Sequence, residues 1–213
     1  MPLPNGDVIA GKANANIDGG CDYIERNAMI LVKLFRQTQS RMSHPEDKIV
    51  LIGPSMGGLI ARYALAYMEK HQNEANVGPH KCKLYVSQDA PHLGSNVPIG
   101  VQALIRNLAS GFGIATAQEF LNRKISVPAT KELLLNHIEA DNYGPDPLRN
   151  SFIQNQYDNG PIGKLGWPMD VDLKKVAIIN GSLMGKASIA DNPPISRVLA
   201  GDRIFDMDVQ VGE

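Results

Sequence analysis

Apolar positions recur along this chain with two different periods, which divide it into strands and helices. Lys48-Ile49-Val50-Leu51-Ile52 is an almost wholly apolar, β-branched run, the pattern of a strand buried on both faces. From Leu59 the apolar residues Leu59, Ile60, Tyr63, Ala64, Tyr67 and Met68 return at helical spacing as far as Lys70. Upstream, Asp22–Met42 reads as a helix with Ile24, Ala28, Leu31, Val32 and Phe35 on one face, ended by Ser43-His44-Pro45. Downstream, a polar loop over Asn73–Lys81 leads into a further strand, Lys83–Ser87. Strand, helix and strand over this length predict a parallel sheet, whose chemistry gathers at the carboxyl ends of its strands.

The second half is less regular. Ile99–Ala109, Ala117–Lys124 and Pro128–Ala140 read as three helices, the last opened by Pro128. Asp141–Asp170, with four prolines, reads as irregular. Lys174–Asn180 is a third buried strand, closed by Gly181-Ser182, and Ile204–Val211 alternates with period two like an edge strand. Met1–Gly20 is rich in Gly, Asn and Pro and offers only a weak strand at Val8-Ile9-Ala10. The expected organisation is an α/β core over residues 1–100, a helical, lid-like insertion over 101–170, and a return to the core over 171–213. The fold class is α/β with a mostly parallel sheet, and the domain is expected to be incomplete.

Between the first strand and its helix lies Gly53-Pro54-Ser55-Met56-Gly57, a G-x-S-x-G in the strand–turn–helix context that a nucleophile elbow needs. Such a turn strains the backbone of its serine, so the residues two before and two after should lack bulk, and Gly53 and Gly57 meet that demand. Gly58 adds room for helix and strand to approach. The helix N-terminus behind Ser55 brings partial positive charge, and the Met56 N–H, directly after the nucleophile, is the expected oxyanion donor.

Composition narrows the field only a little. A net charge of −1 argues against a nucleic-acid or anionic-membrane surface, and no apolar run approaches a membrane span. The N-terminus shows neither the basic nor the apolar region of a signal peptide. Cys21 and Cys82 cannot define a disulfide framework and read as reduced, structural residues; nothing has metal-ligand spacing, and no cofactor is expected.

GPSMGGLIARYAL, followed by a strand and then Asp89-Ala90-Pro91-His92-Leu93-Gly94-Ser95, resembles the α/β-hydrolase superfamily. Within it the chain is most similar to secreted bacterial lipases and inositol-deacylase-like serine esterases, which pair S-x-G-G with a P-H-x-G loop. A closer likeness is to hydrolase regions of large bacterial surface or secreted proteins, where the loop runs on into a segment like Val97-Pro98-Ile99-Gly100. The likeness is clear over roughly residues 18–100. It implies a serine hydrolase acting on small-molecule or lipid esters, in a secreted or surface protein. The other class kept open is a non-catalytic module of the same fold, retained for binding or scaffolding.

A serine hydroxyl needs a base, and the base an orienting carboxylate, in the chain order Ser, Asp or Glu, His. Asp89, at the end of the strand after the nucleophile, is the favoured acid, with Asp191 and Asp202 as alternatives. Of five histidines, His44 and His80 precede their strands, His71 follows the elbow helix and His137 belongs to the insertion. His92 is on the correct side of the sheet, but in lipases that the chain resembles its counterpart is structural. The base is therefore expected beyond this chain, with His92 the candidate within it. Arg62 reads as a packing or salt-bridge residue, Tyr157 and Trp167 as packing residues, and Asp170 and Asp172 as a solvated loop.

Overall fold

A computed structural model describes residues 20–160 and 166–179. The expected strand at 8–10, the edge strand at 204–211, Gly181-Ser182, Asp191 and Asp202 lie outside these residues. Within them the chain forms α1 (Ile24–Gln39), β1 (Ile49–Pro54), α2 (Met56–Lys70), β2 (Cys82–Gln88), α3 (Ile99–Arg106), α4 (Ala115–Phe120), α5 (Pro128–Leu133), α6 (Pro147–Asp158) and β3 (Lys174–Ile178). The three strands make one parallel sheet in the order β1-β2-β3, with Ile52 beside Val86 and Val86 beside Val176. This is the mixed α/β class that the strand–helix–strand pattern predicts.

The main core joins α1 and α2 to the sheet. Ile24, Ala28, Val32 and Phe35 of α1 meet Leu59, Tyr63, Leu65 and Met68 of α2, with Tyr85 of β2 beneath them. Both helices lie here because their apolar stripes repeat at the 3.6-residue period, leaving Arg26 and Lys33 to the rim. Two strand expectations need correcting. Ile52 of β1 is 60% exposed and Ile178 of β3 is 54% exposed, so neither strand is buried on both faces among the described residues. An apolar β-branched run reports two faces fit for burial, not that both are covered.

The helical region differs from its expected form in three places. α3 and α4 each run on into a single π-helical turn, Asn107–Gly111 and Leu121–Ile125. The helix expected over Pro128–Ala140 stops at Leu133, because Leu134 turns extended and bridges to Ser95. His137 then fastens the departing chain, its Nε2 against the Ile125 carbonyl and its Nδ1 accepting from the Glu139 N–H. The stretch expected to be irregular contains α6, capped by the Asp146 carboxylate, which accepts from the Leu148 N–H at 2.9 Å, with Pro147 at the first helical position. Ala129 of α5 and Phe152 of α6 enter the main core, whereas Ala109, Leu121, Ile125 and Ile138 form a small cluster of their own.

Cys21 and Cys82 are both free and buried, the first donating to the Arg123 carbonyl and the second to that of Leu84. No helix among the described residues is long and apolar enough to cross a membrane.

Candidate active site

β1 ends at Pro54, opposite Gln88 of β2, and the ladder continues one step further. The Ser55 N–H donates to the Gln88 carbonyl at 2.8 Å, and the Asp89 N–H to the Ile178 carbonyl at 2.6 Å. Both residues are held at positive φ, 50° for Ser55 and 47° for Asp89. For a residue with a Cβ such a backbone costs on the order of 1–3 kcal/mol and persists only where its surroundings impose it. Ser55 and Asp89 thus stand side by side at the carboxyl ends of adjacent strands, each one residue beyond a paired position, and both side chains are exposed.

What imposes the turn at Ser55 is a tight approach of strand to helix. A Cβ on Gly53 would lie 2.7 Å from the Gly57 carbonyl oxygen and 2.8 Å from Gly58 Cα. One on Gly58 would lie 2.4 Å from Ala90 Cβ, which is how α2 comes against the loop after β2. Gly57 is different: a Cβ there meets only Pro54 Cδ, at 3.5 Å. The sequence-based reason for Gly57 is therefore displaced onto its carbonyl, against which Gly53 packs. Buried Tyr85 secures the same joint by donating its hydroxyl to the Gly58 carbonyl at 2.5 Å. Met56 is the first residue of α2, so its N–H is one of those a helix leaves without an internal partner. Upstream of α1 the sequence holds no His-Gly or Gly-Gly turn after a convincing strand to supply a second oxyanion donor, and residues 1–19 lie outside those described.

His92 sits under the elbow with a different neighbour. Its Nε2 lies 2.7 Å from Ser87 Oγ, and its ring packs against Trp167 at 4.8 Å between centroids. Its Nδ1 is buried without a partner. Burial, with the Arg62 guanidinium nearby, pushes its pKa down to about 4, so the ring is neutral at pH 7. The structure does not hydrogen-bond His92 to Ser55. All five histidines lie within the described residues, and the others are placed elsewhere. His71 stacks on Tyr67 and holds Glu74, His80 is buried between Glu69 and the Cys82 N–H, His137 is enclosed, and His44 is at the surface.

Sequence reading missed Arg149, which ties the site together. From α6 it donates to the carbonyls of Glu132, Leu133 and Leu93, the last at 2.6 Å, and so fixes the His92 loop to the end of α5. Its guanidinium lies over Gly94, at φ 103°, where a Cβ would be 2.6 Å from Nη2. The glycine of the P-H-x-G loop was the available signal, since it announces a close approach without saying of what. Arg62 and Trp167 do pack together as expected, the guanidinium 4.2 Å from the ring centroid.

A serine at positive φ between the end of a strand and a helix N-terminus, on a parallel sheet, defines the class: a mixed α/β fold with a strand–turn–helix backbone at Ser55. A family model described as "Putative serine esterase (DUF676)" matches residues 9–111, just under half of the chain and including the whole elbow unit. That match supports a serine-hydrolase type of function at this coarse level. No curated protein and no solved structure matches the chain.

Proposed function

We propose that the chain is the nucleophile-bearing part of a carboxylic ester hydrolase of the esterase or lipase type, working through an acyl-enzyme on Ser55. The observation that carries this reading is the backbone of Ser55, with φ 50° and ψ −131°. A module kept only for binding would gain nothing from holding a serine in so costly a conformation. In the reaction, Ser55 Oγ attacks the ester carbonyl, its proton goes to a base and the Met56 N–H receives the developing oxyanion. The alcohol leaves with a proton, and water then releases the acid and regenerates the serine. Asp89 is the carboxylate that orients the base, from its place on the strand next to Ser55. Phe112, 77% exposed, and Ile114 form an exposed apolar turn in the helical insertion, suited to an acyl chain. The resemblance to secreted bacterial lipases favours acyl lipids and a surface or secreted setting.

The base is the step that the described histidines serve least well. His92 acts here as a strut, committed to Ser87 and sealed from solvent at Nδ1. Slow turnover of p-nitrophenyl butyrate by the 213-residue chain is therefore expected, with acceleration by added imidazole as a diffusible base. Both should vanish in Ser55→Ala. Equal turnover in Ser55→Ala would remove the nucleophile assignment. Fast turnover without imidazole that is lost in His92→Gln would make His92 the base.

A further inference from the structure

Residues 107–118 carry no charge, and within them the whole run 110–116 is exposed. Phe112 stands 77% exposed in that run and Ile114 42%. Gly111 and Gly113 flank Phe112, and neither has an atom within 4 Å of where a Cβ would stand, so the turn lies clear of its surroundings. Its two ends are nevertheless fixed. Ala109, just before it, is buried with Leu121, Ile125 and Ile138, and Ala117, just after it, packs against the same cluster. The π-helical turns Asn107–Gly111 and Leu121–Ile125 both pack against α4, whose last residue, Phe120, is 47% exposed. The charges gather at these π turns. Arg106 immediately precedes the first, and Arg123 and Lys124 lie in the second. Between residues 99 and 126 these three cations face one acid, Glu119, 3.9 Å from Arg123, and all four side chains are exposed. The segment therefore holds a positive surplus that the whole-chain charge of −1 conceals.

We propose that this turn docks the protein on an anionic lipid surface, Phe112 and Ile114 entering the acyl region and Arg106, Arg123 and Lys124 meeting the headgroup phosphates. A stable contact with a second protein takes about 800 Å² and 20 or more residues from each side. A short turn with two large apolar side chains falls well short of that. A lipid surface sets no such minimum, because each apolar side chain gains by its own burial, and basic residues near an anionic leaflet add to it. The absence of charge over 107–118 fits the same partner, since a carboxylate carried in with Phe112 would oppose entry. The docking does not depend on the chemistry of Ser55.

The test is flotation of the 213-residue chain with vesicles of phosphatidylcholine containing about one-third phosphatidylglycerol. Binding should be about tenfold weaker to phosphatidylcholine alone, and Arg123→Gln with Lys124→Gln should narrow that difference. Phe112→Ser, at an exposed position that leaves the core untouched, should weaken binding to the mixed vesicles about tenfold. Ile52→Ser, on the exposed sheet face, should bind like the parent, which separates the turn from general apolar adhesion. Ser55→Ala should also bind like the parent, which separates this result from the nucleophile assignment. In Ser110→Cys, an environment-sensitive dye on the new thiol should shift to the blue on vesicles; Cys21 and Cys82 are buried and escape the label. No flotation, equal binding to both vesicle types, an unaffected Phe112→Ser, loss of binding in Ile52→Ser, or unmoved dye emission would each overturn the proposal.

Discussion

A methyl group on Gly53 would sit 2.7 Å from the Gly57 carbonyl oxygen, and one on Gly58 would strike Ala90 Cβ at 2.4 Å. Gly53→Ala and Gly58→Ala should each therefore lower stability by about 1–3 kcal/mol, read as a shift in the urea midpoint. Gly57→Ala should lie within about 1 kcal/mol of the parent, because its Cβ meets only Pro54 Cδ at an ordinary 3.5 Å. The motif spacing marks all three glycines alike; which one lacks room depends on the approach of the loop after β2, a contact no local pattern encodes. His92 was legible as a site residue in the P-H-x-G loop, but its partner Ser87 was not, because β2 and the loop meet only in three dimensions. As a strut, His92 predicts a pH effect of definite sign. Its pKa of about 4 in the fold lies below the ordinary 6.5, so its contribution is complete above pH 6.5 and is lost as pH falls towards 4. In His92→Gln, urea midpoints between pH 7 and 4 should lack that component. Fluorophosphonate labelling of Ser55 should stay within a few-fold of the parent, whereas loss of a true base would cost about 10²–10⁴.

At the level of elements, α1, β1, α2 and β2 were readable because each carries a clean period and a sharp stop. α6 was not, because the side chains it buries include Arg149 and Gln156, so its inner face reads as polar. The Asp146-Pro147 pair, a cap followed by a first-turn proline, was the signal that prolines elsewhere in the stretch obscured. α5 was read too long because Leu134 and Ile138 are buried by an extended segment and its turn rather than by a helix. The docking of α5 on α1 rests on Glu132, 1% exposed, whose carboxylate accepts from the Ile24 N–H at 2.7 Å. Burial, with Glu25 and Asp22 close by, pushes its pKa up to about 10, so it is protonated in the fold at neutral pH. An acid with a raised pKa stabilises fully below its ordinary value near 4.5, and that contribution declines as pH rises towards 10. Glu132→Gln keeps an acceptor for Ile24 and removes the titration. Its thermal midpoint should fall less than the parent's between pH 5 and 9; an identical pH profile would show that Glu132 is ionised in the fold.

Across the whole molecule, one face of the sheet packs on α1 and α2 while Val50, Ile52, Val176 and Ile178 remain exposed on β1 and β3. The parallel direction followed from the strand–helix–strand alternation, but the strand order and the exposure of the second face depend on contacts that leave no local trace. The covered face and the tight glycine joint are enough to hold Ser55 at the carboxyl end of β1, at the mouth of α2, with Asp89 on the neighbouring strand. Everything proposed for the chemistry depends on that serine being reactive because of where it is held. The direct measurement is to incubate the chain with a fluorophosphonate probe and map the adduct by peptide mass spectrometry. A single adduct on the peptide containing Ser55, absent in Ser55→Ala and present in a variant at another exposed serine such as Ser110→Ala, is the expected result. Labelling that survives Ser55→Ala, or that spreads over several serines at equal rates, would contradict it.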